Sequence, residues 1–261
     1  MCTLLFAFEA RADAPLIVAA NRDEFRGRPT APLHAWEDAP VIAGRDLRGG
    51  GTWMGLGRRG RWAALTNTRE PGRERPGART RGELVTEVLT SARDLEAALR
   101  AIAARADDYN GFNLVAWDGR ALWSLSTFAG EPRLEEVAPG VHGLSNHRLD
   151  TPWPKVQVGT DRLRDLVDRA ALPALDDLLG LLGDRRGFPD DHLPDTGVGL
   201  ARERELAPLL IDTPAYGTRS STAMIVDRRG RVRLAELTID RQGPAGRVDL
   251  SVDVPELAGD P

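Results

Sequence analysis

The chain predicts an α+β fold in which antiparallel sheets are covered by helices, and three observations carry that expectation. Apolar strands come as hairpins at both ends of the 261 residues, and helical stripes cluster in the middle. No internal repeat or low-complexity linker divides the sequence, so residues 1–261 read as a single domain.

Residues 2–8 (CTLLFAF) and 16–20 (LIVAA) are apolar runs joined by a turn at Ala14-Pro15, which is the pattern of a buried hairpin. The second run leads into Asn21-Arg22-Asp23-Glu24, polar residues at the mouth of that sheet. Residues 25–50 are rich in Pro, Gly and Arg and read as loop with short strands. Residues 52–57 and 61–66 form a further hairpin that ends at Asn67, and a polar loop follows over 69–82. Thr80 and Glu83 have capping-box spacing ahead of a helical stripe of Leu84, Val85, Val88, Leu89, Ala92, Leu95, Leu99 and Ile102. Residues 111–117 and 121–127 flank Asp118-Gly119 as the clearest hairpin, and short strands continue to Leu144 before Ser145-Asn146-His147. Helix is predicted over 153–183 with a break at Leu172-Pro173, loop over 184–199, and a short helix near 201–209. The last hairpin spans 222–226 and 231–239, and the Gly/Pro/Asp-rich tail from Arg241 is predicted to fray.

Composition narrows the function classes. A hydrophobic content of 41% supports a substantial core, and a net charge of −4 leaves no nucleic-acid footprint. Lys155 is the only lysine, so 34 of 35 basic residues are arginine, which suggests a GC-rich, bacterial source. No apolar run approaches the roughly 20 residues of a membrane span, and the N-terminus makes a poor signal peptide. With a single cysteine there is no internal disulfide, and a reduced, cytoplasmic protein is the expectation. His34, His142, His147 and His192 fall in no metal-binding spacing, so neither a metal nor a cofactor is expected. The Gly49-Gly50-Gly51-Thr52-Trp53 run lacks a P-loop ending and reads as a tight turn that lets backbone approach a ligand.

The lone cysteine, Cys2, carries the chemistry. Removal of Met1 would leave a thiol and a free α-amine on one residue, a nucleophile with a base beside it. Their ordinary pKa values, about 8.5 and about 7.7–8.0, need only modest tuning. The antiparallel second strand brings Asp23 back to orient the amine and Arg22 to stabilise the thiolate and depress its pKa. Asn67 and Asn146 end predicted strands and are alternative donors to an oxyanion. Arg219 reads as a second cation near the thiol or a clamp for a substrate carboxylate, Trp53 as pocket wall or core. A Cys2–His147 pair is an alternative that no spacing selects.

Met-Cys-Thr at the start, Ala20-Asn21-Arg22-Asp23-Glu24, Gly50-Gly51-Thr52-Trp53, Thr66-Asn67, Leu144-Ser145-Asn146, Pro152-Trp153-Pro154-Lys155 and Tyr216-Gly217-Thr218-Arg219-Ser220-Ser221 occur in order. The pattern resembles the NRDE-motif family, also called the transport-and-Golgi-organisation type 2 family, from residue 2 to about 239. That resemblance implies a relative of the N-terminal nucleophile hydrolases, with a four-layer αββα sandwich. The analogous cysteine enzymes are penicillin V acylase, bile-salt hydrolase and acid ceramidase. By carry-over Cys2, Arg22, Asp23, Asn146 and Arg219 fill catalytic places. Asn21, Asn67 and Trp53 are expected to contact substrate. In the acylases two residues separate the arginine from the aspartate, whereas here the two are adjacent. Adjacent strand residues face opposite sides, so only one of Arg22 and Asp23 is expected to face Cys2 unless the chain bends, with Asn21 on Asp23's side. Eukaryotic members of the family are linked to lipid, acyl-CoA and haem handling. The leading expectation is an N-terminal-cysteine acyl hydrolase or acyltransferase for a small non-peptide amide or thioester. The alternative is a carrier of haem or an acyl lipid, with haem ligated by a histidine or the Cys2 thiolate.

Overall fold

The computed structural model describes residues 2–57 and 59–258. Met1, whose removal the sequence reading invokes, lies outside the described residues.

Thirteen strands and five α-helices follow one another as β1 (Cys2–Phe8), β2 (Leu16–Phe25), β3 (Thr30–Ala35), β4 (Val41–Asp46), β5 (Met54–Gly57), β6 (Trp62–Asn67), α1 (Gly82–Thr90), α2 (Leu95–Ala103), β7 (Phe112–Trp117), β8 (Leu122–Ser126), β9 (Arg133–Glu136), β10 (Gly140–Leu144), α3 (Pro154–Val167), α4 (Leu175–Leu182), α5 (Leu200–Leu206), β11 (Tyr216–Val226), β12 (Arg229–Asp240) and β13 (Gly243–Ala258) among the described residues. They build a six-stranded sheet in the order β10-β1-β2-β11-β12-β13 and a seven-stranded sheet in the order β3-β4-β5-β6-β7-β8-β9. Every strand pairing between neighbours is antiparallel.

Side-chain alternation sorts the core into three layers. Leu4, Phe6, Val18 and Met224 of the first sheet meet Trp62, Val115 and Trp117 of the second between the sheets. On the outer face of the first sheet, Leu5, Ile17 and Ala223 meet Leu163 and Leu178 of α3 and α4. Beyond the second sheet, Leu65, Leu114 and Phe112 meet Leu84, Val88 and Leu99 of α1 and α2. The result is the αββα sandwich, and β1 lies inside its sheet, so Cys2 opens an interior strand.

Three local expectations are corrected. The stripe from Leu84 to Ile102 is two helices, because Asp94 accepts a hydrogen bond from the Ala97 N–H and starts α2 afresh, leaving Ala92 exposed in the break. No side chain caps α1, so the Thr80–Glu83 capping box does not form. The tail from Arg241 does not fray. It forms β13 along β12, with Val248, Leu250 and Val252 turned toward the core between the sheets.

The glycine run serves packing. A Cβ on Gly51 would lie 2.3 Å from the Gly82 carbonyl carbon, and the Thr52 N–H donates to the Gly82 carbonyl at 3.2 Å. Only glycine allows this approach, which seats the start of α1 against the loop and brings residues 79–82 to the sheet's mouth. The backbone approaches a helix here, where the sequence suggested a ligand.

Candidate active site

Cys2 lies directly opposite Arg22 in the β1–β2 ladder, and cross-strand neighbours share a face. Arg22 is nearly fully buried, with its guanidinium 4.4 Å from the Trp53 ring centroid and donating to Thr30 Oγ1 at 3.0 Å. Asp23 follows Arg22 in β2 and is nearly fully buried. Its backbone N–H favours the charged form of the thiol, its carboxyl Oδ1 accepts from Thr218 Oγ1 at 2.7 Å, and its carbonyl accepts from the Tyr216 hydroxyl at 2.9 Å. Arg22 and Asp23, though adjacent in the strand, both line the pocket at Cys2.

Burial pushes the Cys2 thiol above its ordinary value, and the neighbouring Asp23 carboxylate adds to this; the Asp23 N–H and Arg22 oppose it. The depressed thiol expected from Arg22 is thereby corrected: desolvation outweighs one cation. Burial likewise raises the Asp23 carboxyl, against the pull of Lys155, Thr218 and Arg69. Lys155, at the start of α3, is 2% exposed and donates to the Leu206 carbonyl at 3.0 Å. Burial brings it from 10.5 down to about 8, with Asp23 opposing. Behind it Arg69 pairs with Glu203 at 2.5 Å and stacks over Trp153 at 4.6 Å.

Asn67 ends β6 and lines the pocket with Cys2, Trp53 and Arg81. Asn146 follows β10, next to Ser145, whose hydroxyl donates to the Cys2 carbonyl at 3.3 Å. The Asn146 Nδ2 donates to the Asn67 carbonyl at 2.9 Å and to Asn67 Oδ1 at 3.2 Å. Asn146 thus holds Asn67. With the Asn67 Oδ1 engaged, its amide nitrogen is the end left for the pocket.

Two other expected site residues lie elsewhere. Asn21 points into the helix layer, donating to the Leu182 and Leu209 carbonyls at 3.0 and 2.9 Å and accepting from Ser221 Oγ at 2.6 Å, so it contacts no substrate pocket. Arg219 stands at a β-bulge between Thr218 and Ser220 and donates to the carbonyls of Phe25, Arg26 and Arg28 at 3.2, 2.7 and 3.2 Å. It fastens that turn and does not line the Cys2 pocket, so neither role expected of it, beside the thiol or on a substrate carboxylate, is filled. His147 bonds Thr151 Oγ1 at 2.8 Å, packs on Phe128 and does not line the Cys2 pocket, so nothing favours the Cys2–His147 alternative. Among the described residues no group of three His, Cys, Asp or Glu could hold a metal ion, and no helix is long and apolar enough to cross a membrane.

The pocket at Cys2 encloses about 320 Å³. A cleft of about 470 Å³ adjoins it across Glu24, Arg28, Asn67 and Arg81, with Phe25, Leu206 and Tyr216 on its wall.

The family model of Transport and Golgi organisation 2 matches residues 1–241. The chain belongs to that family. The mouse Transport and Golgi organization 2 homolog is 34% identical over 90% of this chain and 92% of its own length. The human homolog is 35% identical, with the same shares of each chain covered. The Drosophila melanogaster member is 29% identical over 94% of this chain and 95% of its own. These relatives of the Transport and Golgi organisation 2 family correct the bacterial origin that arginine usage suggested, since all are animal proteins. A solved structure, the Caenorhabditis elegans N-acylethanolamine-hydrolyzing acid amidase ortholog, superposes with a TM-score of 0.53 at 12% identity, covering 86% of this chain and 92% of that one. This family member therefore shares the amidase's fold.

Lys155, Arg69, Thr218 and Arg81 were not singled out for the site in the sequence. Lys155 did leave a signal, as the only lysine in a chain that otherwise uses arginine. The others are ordinary loop and strand residues whose importance comes from tertiary packing.

Proposed function

We propose that the chain is an acyl hydrolase for an amide or thioester, with Cys2 as its nucleophile. One observation carries this reading: the only thiol in the chain stands at a strand end, between an open pocket and a buried carboxyl. Once Met1 is removed, the α-amine of Cys2 accepts the thiol proton and Asp23 holds the resulting ammonium. Burial opposes a bare thiolate, so the proton moves to the α-amine as the attack proceeds.

The sulfur adds to the acyl carbon, and its carbonyl oxygen becomes an oxyanion that the Asn67 amide N–H meets. Asn146 acts through Asn67, as a positioning residue. Collapse breaks the carbon–nitrogen or carbon–sulfur bond, the leaving group takes the proton from the α-ammonium, and water then hydrolyses the thioester on Cys2. Support comes from the amidase-like fold and from the gathering of Cys2, Arg22, Asp23 and Asn67 at one pocket.

The test is turnover of a panel of N-acyl amides and acyl thioesters by the mature chain, by Cys2→Ala and by a form that retains Met1. Cys2→Ala is expected to lose more than about a thousandfold in kcat while folding normally. The Met1-retaining form should be similarly impaired. Equal turnover by Cys2→Ala would end this reading; equal turnover by the two wild-type forms would remove the α-amine from the mechanism.

A further inference from the structure

Four arginines line the Cys2 pocket: Arg22, Arg28, Arg79 and Arg81. Three already face carboxylates. Arg22 lies 3.9 Å from Glu24, Arg28 pairs with Asp46 at 2.6 Å, and Arg79 pairs with Glu83 at 2.7 Å. Arg81 has no carboxylate within ion-pairing distance among the described residues. Its guanidinium is anchored at one end, where Nη1 donates to the Gly111 carbonyl at 2.9 Å.

We propose that Arg81 is the anion-binding residue of the cleft, and that the substrate carries an oxyanion group, a carboxylate or a phosphate, close to the bond that Cys2 attacks. This deepens the hydrolase reading and rests on the same pocket being the substrate site.

The position suits the role. Arg81 borders both the Cys2 pocket and the adjoining cleft, so it stands at their junction. Its charge is felt at the Cys2 sulfur, and it is also balanced at longer range by Glu74 and Glu24 and opposed by Arg28. Burial weakens its hold on the proton, yet a guanidinium remains charged in proteins. A half-buried cation without a facing anion is costly, and a bound carboxylate or phosphate offsets that cost through paired N–H donors. Beyond the junction, Phe25 is 60% exposed and packs edge-on against Tyr216 with ring centroids 5.3 Å apart, an apolar wall for the rest of the molecule. Arg219, the residue that the sequence offered as a carboxylate clamp, is tied through Nη1 to three backbone carbonyls and lines neither the pocket nor the cleft, which leaves that role to Arg81.

Because Cys2 is the only cysteine, thiol labelling reads this pocket alone. The measurement is the rate of Cys2 alkylation by iodoacetate relative to neutral iodoacetamide. Arg81→Gln is expected to lower that ratio by about fivefold, Arg81→Lys to keep most of it, and Arg100→Gln, at an exposed position of α2 that lines neither the pocket nor the cleft, to leave it unchanged. An unchanged ratio in a folded Arg81→Gln overturns the proposal. Should Arg81→Gln fail to fold, protection of wild-type Cys2 from iodoacetamide decides. Hexanoate protecting better than hexanamide supports a carboxylate, inorganic phosphate protecting better than hexanamide supports a phosphate, and neither doing so overturns the site. Labelling requires no turnover, so the two readings fail separately. A persistent charge preference without hydrolysis sinks the hydrolase alone, and hydrolysis without a charge preference sinks the anion site alone.

Discussion

Two stretches of β2, residues 16–20 and residues 21–23, are equally buried and held by opposite means. At residues 16–20 every side chain is apolar and at most 7% exposed, with Leu16, Val18 and Ala20 between the sheets and Ile17 and Ala19 under α4. At Asn21, Arg22 and Asp23 exposure is 1%, 5% and 2%, yet every side chain is polar. The first stretch needs only shape, because dispersion and desolvation stabilise it from any direction. The second needs a named partner for each polar atom, since an unanswered one costs free energy. Ser221, Leu182 and Leu209 answer Asn21, Thr30 and Trp53 answer Arg22, and Thr218 answers Asp23. One strand thus separates stability from chemistry along its length.

Substitutions can break that division. The largest expected effect is on stability at the apolar stretch, where Leu16→Ala should cost about 3 kcal/mol by urea denaturation while kcat per folded molecule stays near wild type. A comparable loss of kcat would mean that the two stretches are not separable.

Next comes Lys155 of α3, whose charge acts on Asp23 of the polar stretch. Its folded pKa of about 8 lies below the ordinary 10.5, so the unfolded chain holds the proton over a range in which the folded chain has released it. Wild-type stability should therefore gain, as pH rises from about 8 to about 10.5, a contribution of up to about 3 kcal/mol from this residue. In Lys155→Met that contribution should vanish, and below pH 8 the variant should be the more stable protein. Parallel slopes for the two proteins, in urea midpoints measured across this range, would show that burial of the charge is not resisted.

The smallest effect falls on Thr218→Val. Losing the hydroxyl that donates to Asp23 should raise that carboxyl further and move the acidic limb of the kcat profile to higher pH, at a stability cost of about 1 kcal/mol. An unmoved limb would show that Asp23 ionisation does not gate the reaction.

What the sequence made legible follows the same line. Apolar alternation located the hairpins of both sheets, and strand ends located Cys2, Arg22, Asp23 and Asn67 at one pocket. Asn21 carries the same local signal as Asp23, a polar residue closing an apolar run. Only the position of α4 and the 182–209 segment decides that its amide is spent inside the helix layer. Arg219 was misplaced because a bulge, invisible in composition, turns it onto the 25–28 backbone. Arg81 gave no signal, since its lack of a carboxylate partner is a property of assembled neighbours. For β13 the signal was present, in the alternation of RVDLSVDV, but Gly and Pro around it favoured a frayed tail.

That strand has a consequence for how molecules meet in solution. It is the outer margin of its sheet, and it lies beyond the stretch matched by the family model. A bare margin of this length would template pairing with another chain. Arg247, Asp249 and Asp253 line its exposed face, with Arg247 tied to Asp176 and Asp253 to Arg231, and Pro244 and Pro255 remove N–H groups from its backbone. The sheet's rim thus carries charge and proline, the features that oppose edge-to-edge pairing with a second chain.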